Sequence, residues 1–150
     1  MSAEEQLDGF LARFTPAVEA DARAALAHMR ARIPGAVQLV YDNYNALAIA
    51  FGANEKLSGV VFSVALYPRW VSLFFSGGPY LDDPLGLLKG EGNTVRHIVL
   101  KDAAVLTSPG VEALIAQALD RADPPIDPAG LGRLVIKSVS AKQRSRRPVS

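Results

Sequence analysis

The chain has 150 residues, a hydrophobic share of 49% and a formal net charge of +1, which fits one domain that buries roughly 68–70% of its unfolded surface. It has no cysteine, which excludes disulfides, iron–sulfur clusters and zinc–thiolate sites. The apolar runs are too short to span a bilayer and the acidic, polar stretch Met1–Asp8 is neither a signal nor a transit peptide, so the expectation is a soluble protein of the bacterial cytoplasmic type with no membrane partner.

Ser2-Ala3-Glu4-Glu5 has the spacing of a capping box, in which a Ser hydroxyl and a Glu carboxylate satisfy each other's free backbone donors. Leu7, Phe10, Leu11 and Phe14 follow at helical spacing, predicting a short helix over 3–14. Thr15-Pro16 restarts the chain as N-cap and first helical residue. Val18, Ala22, Ala25, Leu26, Met29 and Ile33 form the apolar stripe of a second helix, and Pro34-Gly35 stops it. The period then changes to two. Residues 37–41 and 46–51 read as strands about an Asp42-Asn43-Tyr44-Asn45 turn; 60–67 and 70–76 are two more, joined at Pro68-Arg69. Residues 52–59 read as a polar hairpin loop and 80–88 as a loop or one helical turn. A further strand over 94–100 precedes a last helix opening at Ser108-Pro109, with Val111, Leu114, Ile115, Ala118 and Leu119 on its apolar face. The predicted fold is α+β, an antiparallel sheet of about five strands covered by N-terminal and C-terminal helices. The expected divisions are a domain over 1–122, a Pro/Gly-rich linker over 123–132 and a basic C-terminal extension over 133–150.

That extension concentrates the charge. Residues 1–132 hold ten basic and fifteen acidic groups, a net −5, whereas Arg133, Lys137, Lys142, Arg144, Arg146 and Arg147 give the rest +6. Such asymmetry marks contact with nucleic acid or an acidic partner, a solvated terminus, or a tail folded back on its own acidic body. Residues 134–139 are β-prone, with Leu134 and Ile136 on one side and Val135, Lys137 and Val139 on the other. They are expected on the sheet or its edge, in the same subunit or a neighbouring one.

Alternation along the strands separates two faces. Leu47, Ile49, Phe51, Val60, Phe62, Val64, Leu66, Val71, Leu73 and Phe75 make a core face. The opposite face collects Ala46, Ala48, Ala50, Ser63, Ala65 and Ser72 among the aromatics Tyr67, Trp70 and Phe74. Small residues beside aromatics leave room either for the C-terminal segment to pack or for a ligand groove. The groove candidates are Tyr44, Asn45, Tyr67, Trp70 and Phe74.

Catalytic and metal-binding patterns are sparse. His28 and His97 lie on different elements with no carboxylate at ligand spacing, and His97 reads as a half-buried strand residue. Glu4 and Asp8 share a helix face and are weak candidates for a hard cation. No G-x-S-x-G elbow occurs. Lys89-Gly90-Glu91-Gly92-Asn93-Thr94, followed by Arg96, offers glycine backbone and flanking cations to an anion, although a strand rather than a helix follows it. Lys89, Gly90, Gly92, Thr94 and Arg96 are the anion-loop candidates, and a mobile hairpin or strand lead-in is the reading set ahead of them.

The two N-terminal helices, the first strand with its Tyr44-Asn45 turn, the meander to Trp70, and Gly92-Asn93-Thr94-Val95-Arg96-His97 before a final helix resemble the YdhG-like domain of unknown function over residues 5–122. In the Gly-x-Thr-Val/Ile-Arg-aromatic strand, His97 stands where that family is expected to have Phe. The resemblance implies a helix-covered antiparallel sheet and no common activity. Because some relatives are described as frataxin-like iron chaperones, it also raises iron handling by Glu4, Glu5, Asp8, Glu19 and Asp21.

Three functions compete on the sequence: a non-catalytic module for a small molecule or protein partner, a frataxin-like iron-handling protein, and an accessory nucleic-acid binder working through the basic tail. An enzyme ranks behind them, no cofactor is expected, and a homodimer is open.

Overall fold

The computed structural model describes residues 1–148. Three helices, α1 (Ala3–Leu11), α2 (Pro16–Arg32) and α3 (Pro109–Arg121), pack against one sheet. Its strands are β1 (Val37–Asp42), β2 (Leu47–Gly52), β3 (Val60–Leu66), β4 (Val71–Phe75), β5 (Arg96–Leu100) and β6 (Leu134–Val139), in the spatial order β5-β4-β3-β2-β1-β6. The first five form an antiparallel meander. β6 adds a sixth strand, parallel to β1, so the sheet is mixed rather than purely antiparallel and five-stranded. Short 3-10 turns lie at Leu57–Gly59, within the expected hairpin loop, and at Gly78–Tyr80 and Ala103–Thr107.

Local chemistry sets the helix boundaries. The Ser2 hydroxyl accepts from the Glu5 amide and the Glu5 carboxylate accepts from the Ser2 amide, both at 3.1 Å, completing the capping box. Thr15 caps α2 through the Val18 amide, with Pro16 in the first turn, where no amide donor is needed.

The helices cover one face of the sheet. Leu7, Leu11, Phe14, Val18, Leu26 and Met29 from α1 and α2, and Val111, Leu114 and Ile115 from α3, meet Val40, Ile49, Phe51, Phe62, Val64, Leu73 and Phe75. Phe62 and Phe75 pack edge to face, with ring centroids 5.5 Å apart. One expected core residue moves. The ladder shifts between Phe51 and Gly52, so Gly52 pairs with Val60 while Phe51 pairs with Phe62. This bulge sends Val61 into the core and leaves Val60 with Val37, Leu39 and Ala50 on the opposite side.

The proline-rich stretch before β6 is not a free spacer. Its carbonyls lie so close to the turn after α2 that a Cβ on Gly35 would stand 1.8 Å from the Asp127 oxygen, and one on Gly132 (φ +62°) would stand 2.3 Å from the Pro34 oxygen. Only glycine fits such an approach. The approach aligns β6 with β1, pairing Leu39 with Val135 and Val40 with Ile136. Leu134 and Ile136 then close the edge of the main core.

Candidate functional site

Topology brings three segments to one end of the sheet. β1 and β3 run in the same direction, each antiparallel to β2, so the β1–β2 and β3–β4 turns lie at the same end. β6, parallel to β1, runs to that end as well and delivers residues 140–147 there. An antiparallel sixth strand would have carried the tail away.

The first turn is closed by the Asn43 amide donating to the Ala46 carbonyl (3.0 Å), the second by the Tyr67 amide donating to the Trp70 carbonyl (2.9 Å) around Pro68-Arg69. The second closure brings the Tyr67 and Trp70 rings into a stack, centroids 4.7 Å apart and planes 16° off parallel. The tail grips the first turn. The Ser140 amide donates to the Asp42 carbonyl (2.8 Å) and the Arg144 amide to the Tyr44 carbonyl (2.9 Å). Arg146 then reaches into the protein beneath the turn. Its Nη2 donates to Asp42 Oδ1 at 2.8 Å and to the Asn43 carbonyl at 2.5 Å, with the guanidinium carbon 5.8 Å from the centre of the Phe14 ring. Both ionic side chains are only 2% exposed. Arg13 adds a weaker contact, 3.8 Å from Asp42 Oδ2. The sequence places Asp42 in the turn and expects Lys142–Arg147 near acidic surface, without saying which acid each meets. Their separation by 104 positions hides the pair from any local pattern.

The tail pairs edge-on and does not lie over the small-residue face. The face stays open around Ala48, Ser63 and Ala65, correcting the expectation that the C-terminal segment packs across it; the tail reaches it only through Val135, beside Ala50. Ala48 pairs with Ala65, and Ser63 with Phe74, which puts these short side chains in a trough of about 480 Å³ lined also by Asn43, Tyr44, Asn45, Tyr67 and Val95. Asn45 and Tyr67 also line a second concavity of about 450 Å³ with Pro68, Arg69, Trp70 and Arg144. The five groove candidates Tyr44, Asn45, Tyr67, Trp70 and Phe74 therefore gather around two adjoining hollows. Arg69 and Arg144 were not among them; no period or motif marks them, because the fold alone brings a turn and a tail together. Burial raises the Tyr67 phenol above its ordinary value of 10.0, so at neutral pH it is an uncharged donor and acceptor.

The anion-loop candidates do not assemble a cradle. Lys89 forms an isolated antiparallel bridge with His97, and its Nζ donates to the Gly86 carbonyl at 3.3 Å. Arg96 Nε donates to the Gly92 carbonyl at 3.0 Å. Both cations thus serve their own loop, Gly90 (φ +106°) supplies its left-handed residue, and Thr94 is exposed. His97 packs its ring 5.2 Å from that of Phe74. The weak metal candidates are engaged by arginines, Glu4 with Arg30 at 3.0 Å and Asp8 with Arg23 at 2.9 Å. The hydrogen bonds that the Arg23 guanidinium donates to the Asp8 and Glu19 carboxylates hold it above its ordinary value. Among the described residues no three carboxylates or histidines come together as a metal site, and no helix is long and apolar enough to cross a membrane.

Comparison with known proteins gave no matching family model, no matching curated protein and no matching solved structure.

Proposed function

We propose that this chain is a non-catalytic binding module, acting in the cytoplasm, that takes a small molecule on the open face of its sheet. One observation carries the reading: five residues from two turns and a strand, Tyr44, Asn45, Tyr67, Trp70 and Phe74, converge on adjoining hollows floored by Ala48, Ser63 and Ala65. The trough, at about 480 Å³, falls within the range of about 300–1,000 Å³ usual for small-ligand sites. Hydroxyl, amide and aromatic groups line it, with no carboxylate, histidine or cysteine among the lining residues, a composition that favours binding over acid–base chemistry. In architecture the proposal goes with a YdhG-like domain, one sheet face covered by helices.

A thermal-shift screen of the intact chain against metabolites tests it. A native-state ligand at a hundred times its Kd stabilises by about 2.7 kcal/mol, or roughly 5–10 °C for a chain of this size. Ala48→Leu fills the trough floor and should abolish the shift while leaving the ligand-free midpoint close to that of the parent. A shift that survives Ala48→Leu undiminished would place the ligand elsewhere and contradict the proposal.

A further inference from the structure

A third hollow, of about 280 Å³, continues the groove beyond Trp70. Pro68, Arg69 and Arg144 line it together with Ser145, Arg147 and Pro148, and the first three also line the hollow containing Trp70. The groove thus grades from the alanine and serine floor, past the stacked Tyr67 and Trp70 rings, to a guanidinium end. No Asp or Glu lines any of the three hollows.

The arginines at that end differ from the others of the tail. Arg146 is consumed by Asp42, and Arg133 by Glu55 at 2.8 Å. Arg69 has no hydrogen bond or ion pair among the described residues, and Arg144 makes only a 3.5 Å side-chain contact with Asn45 Oδ1. Arg147 gives one hydrogen bond to the Arg13 carbonyl, at 3.2 Å. Each guanidinium carries five N–H donors in a planar fork matched to carboxylate or phosphate oxygens. Arg69 and Arg144 share a hollow with no acid lining it among the described residues, and an anion between them offsets their mutual repulsion. Trp70, 43% exposed, leaves part of its ring free next to them for an apolar or flat body.

Resting on the binding reading above, we infer that the ligand is a small organic anion: a carboxylate or phosphate held by Arg69 and Arg144, joined to an aromatic or apolar body that lies along Trp70, Tyr67 and the trough. The two headgroups share one recognition chemistry, and separate probes distinguish them.

Trp70 is the only tryptophan of the chain, so its indole N–H gives a single, assignable signal in a proton–nitrogen spectrum. The intact protein is titrated with naphthalene-2-carboxylate, 2-naphthyl phosphate, the neutral 2-naphthamide and inorganic phosphate. At least one naphthyl anion should move the Trp70 signal and bind about tenfold tighter than the amide, a difference of about 1.4 kcal/mol that one charge-assisted contact can supply. The stronger of the two identifies the headgroup, and inorganic phosphate alone should bind more weakly than either. Arg69→Gln with Arg144→Gln should remove the preference, so that within the variant the anions bind no tighter than the amide, because the charge that tells them apart is gone. Equal binding of amide and anions, or a preference that survives the double variant, overturns the anion inference while the sheet-face reading stands. If the amide and both anions leave Trp70 unmoved at millimolar concentration, both readings fall. Tighter binding of inorganic phosphate than of the naphthyl anions would show a bare ion site without the apolar body, and overturns the inference as well.

Discussion

Arg146→Ala should lower the stability of the protein by about 3–5 kcal/mol, the usual result of removing one partner of a buried ion pair. The variant strands Asp42, whose side chain is 2% exposed, with only the 3.8 Å contact from Arg13 to replace the lost charge. It also removes donors from the Asn43 and Tyr44 carbonyls, and so loosens the turn that carries Tyr44 and Asn45. Against a total of about 5–15 kcal/mol for a domain, such a loss is readily measured by urea unfolding. Asp42→Leu combined with Arg146→Met should recover most of it, since apolar residues of similar volume often match or exceed a buried pair in stability. A single-variant loss below about 1 kcal/mol, the range of exposed pairs, would mean that Arg146 does not latch the tail.

Truncation after Gly132 should be at least as damaging, costing more than the roughly 3 kcal/mol expected for stranding Asp42 alone. It removes β6 entirely, exposes the backbone edge of β1, and uncovers core contacts made by Leu134 and Ile136. An unpaired edge of that kind invites association between chains, so the shortened protein should also aggregate on concentration. Thermal unfolding followed by circular dichroism, with light scattering in parallel, reads both effects. A truncated chain with an unchanged midpoint and no scattering would show that residues 133–148 add nothing to the sheet's stability. If DNA retention were lost at the same time, the basic tail would stand as a nucleic-acid arm instead.

Much of this architecture is written in local patterns. The capping box at Ser2–Glu5, the Thr15-Pro16 restart and the alternating strands place all three helices and five antiparallel strands close to where they are observed. So does the β-prone run from Leu134 to Val139. Interactions between distant residues are what local patterns do not carry. The parallel direction of β6 depends on how residues 127–132 approach the Pro34-Gly35 turn, which nothing within the strand specifies. The bulge between Val60 and Phe62 exchanges the faces of Val60 and Val61, because one extra residue reverses the alternation. The anion-loop candidates were misleading for a related reason: glycines beside cations have one composition whether the cations face a ligand or, like Lys89 and Arg96, their own loop carbonyls.

The candidate site divides in the same way. Its aromatic half was legible, since short side chains opposite Phe74, with Tyr67 and Trp70 at a turn, mark a sheet face that helices do not fill. Its cationic half was not. Arg69 reads as an ordinary turn residue and Arg144 as one charge among six, until the strand order and the Asp42–Arg146 latch bring them to the same hollow. The latch and the site are one construction, in that residues 140–147 both pin the β1–β2 turn and present Arg144.

The most direct test is the location of bound ligand. Amide shifts of the intact chain, mapped during titration with the tighter-binding of naphthalene-2-carboxylate and 2-naphthyl phosphate, should concentrate at Ala48, Ser63, Ala65 and Phe74, together with the Trp70 indole, and leave α1 and α2 unmoved. Shifts that cluster on the helices or around Asp82–Leu88, with the open sheet face silent, would contradict the account.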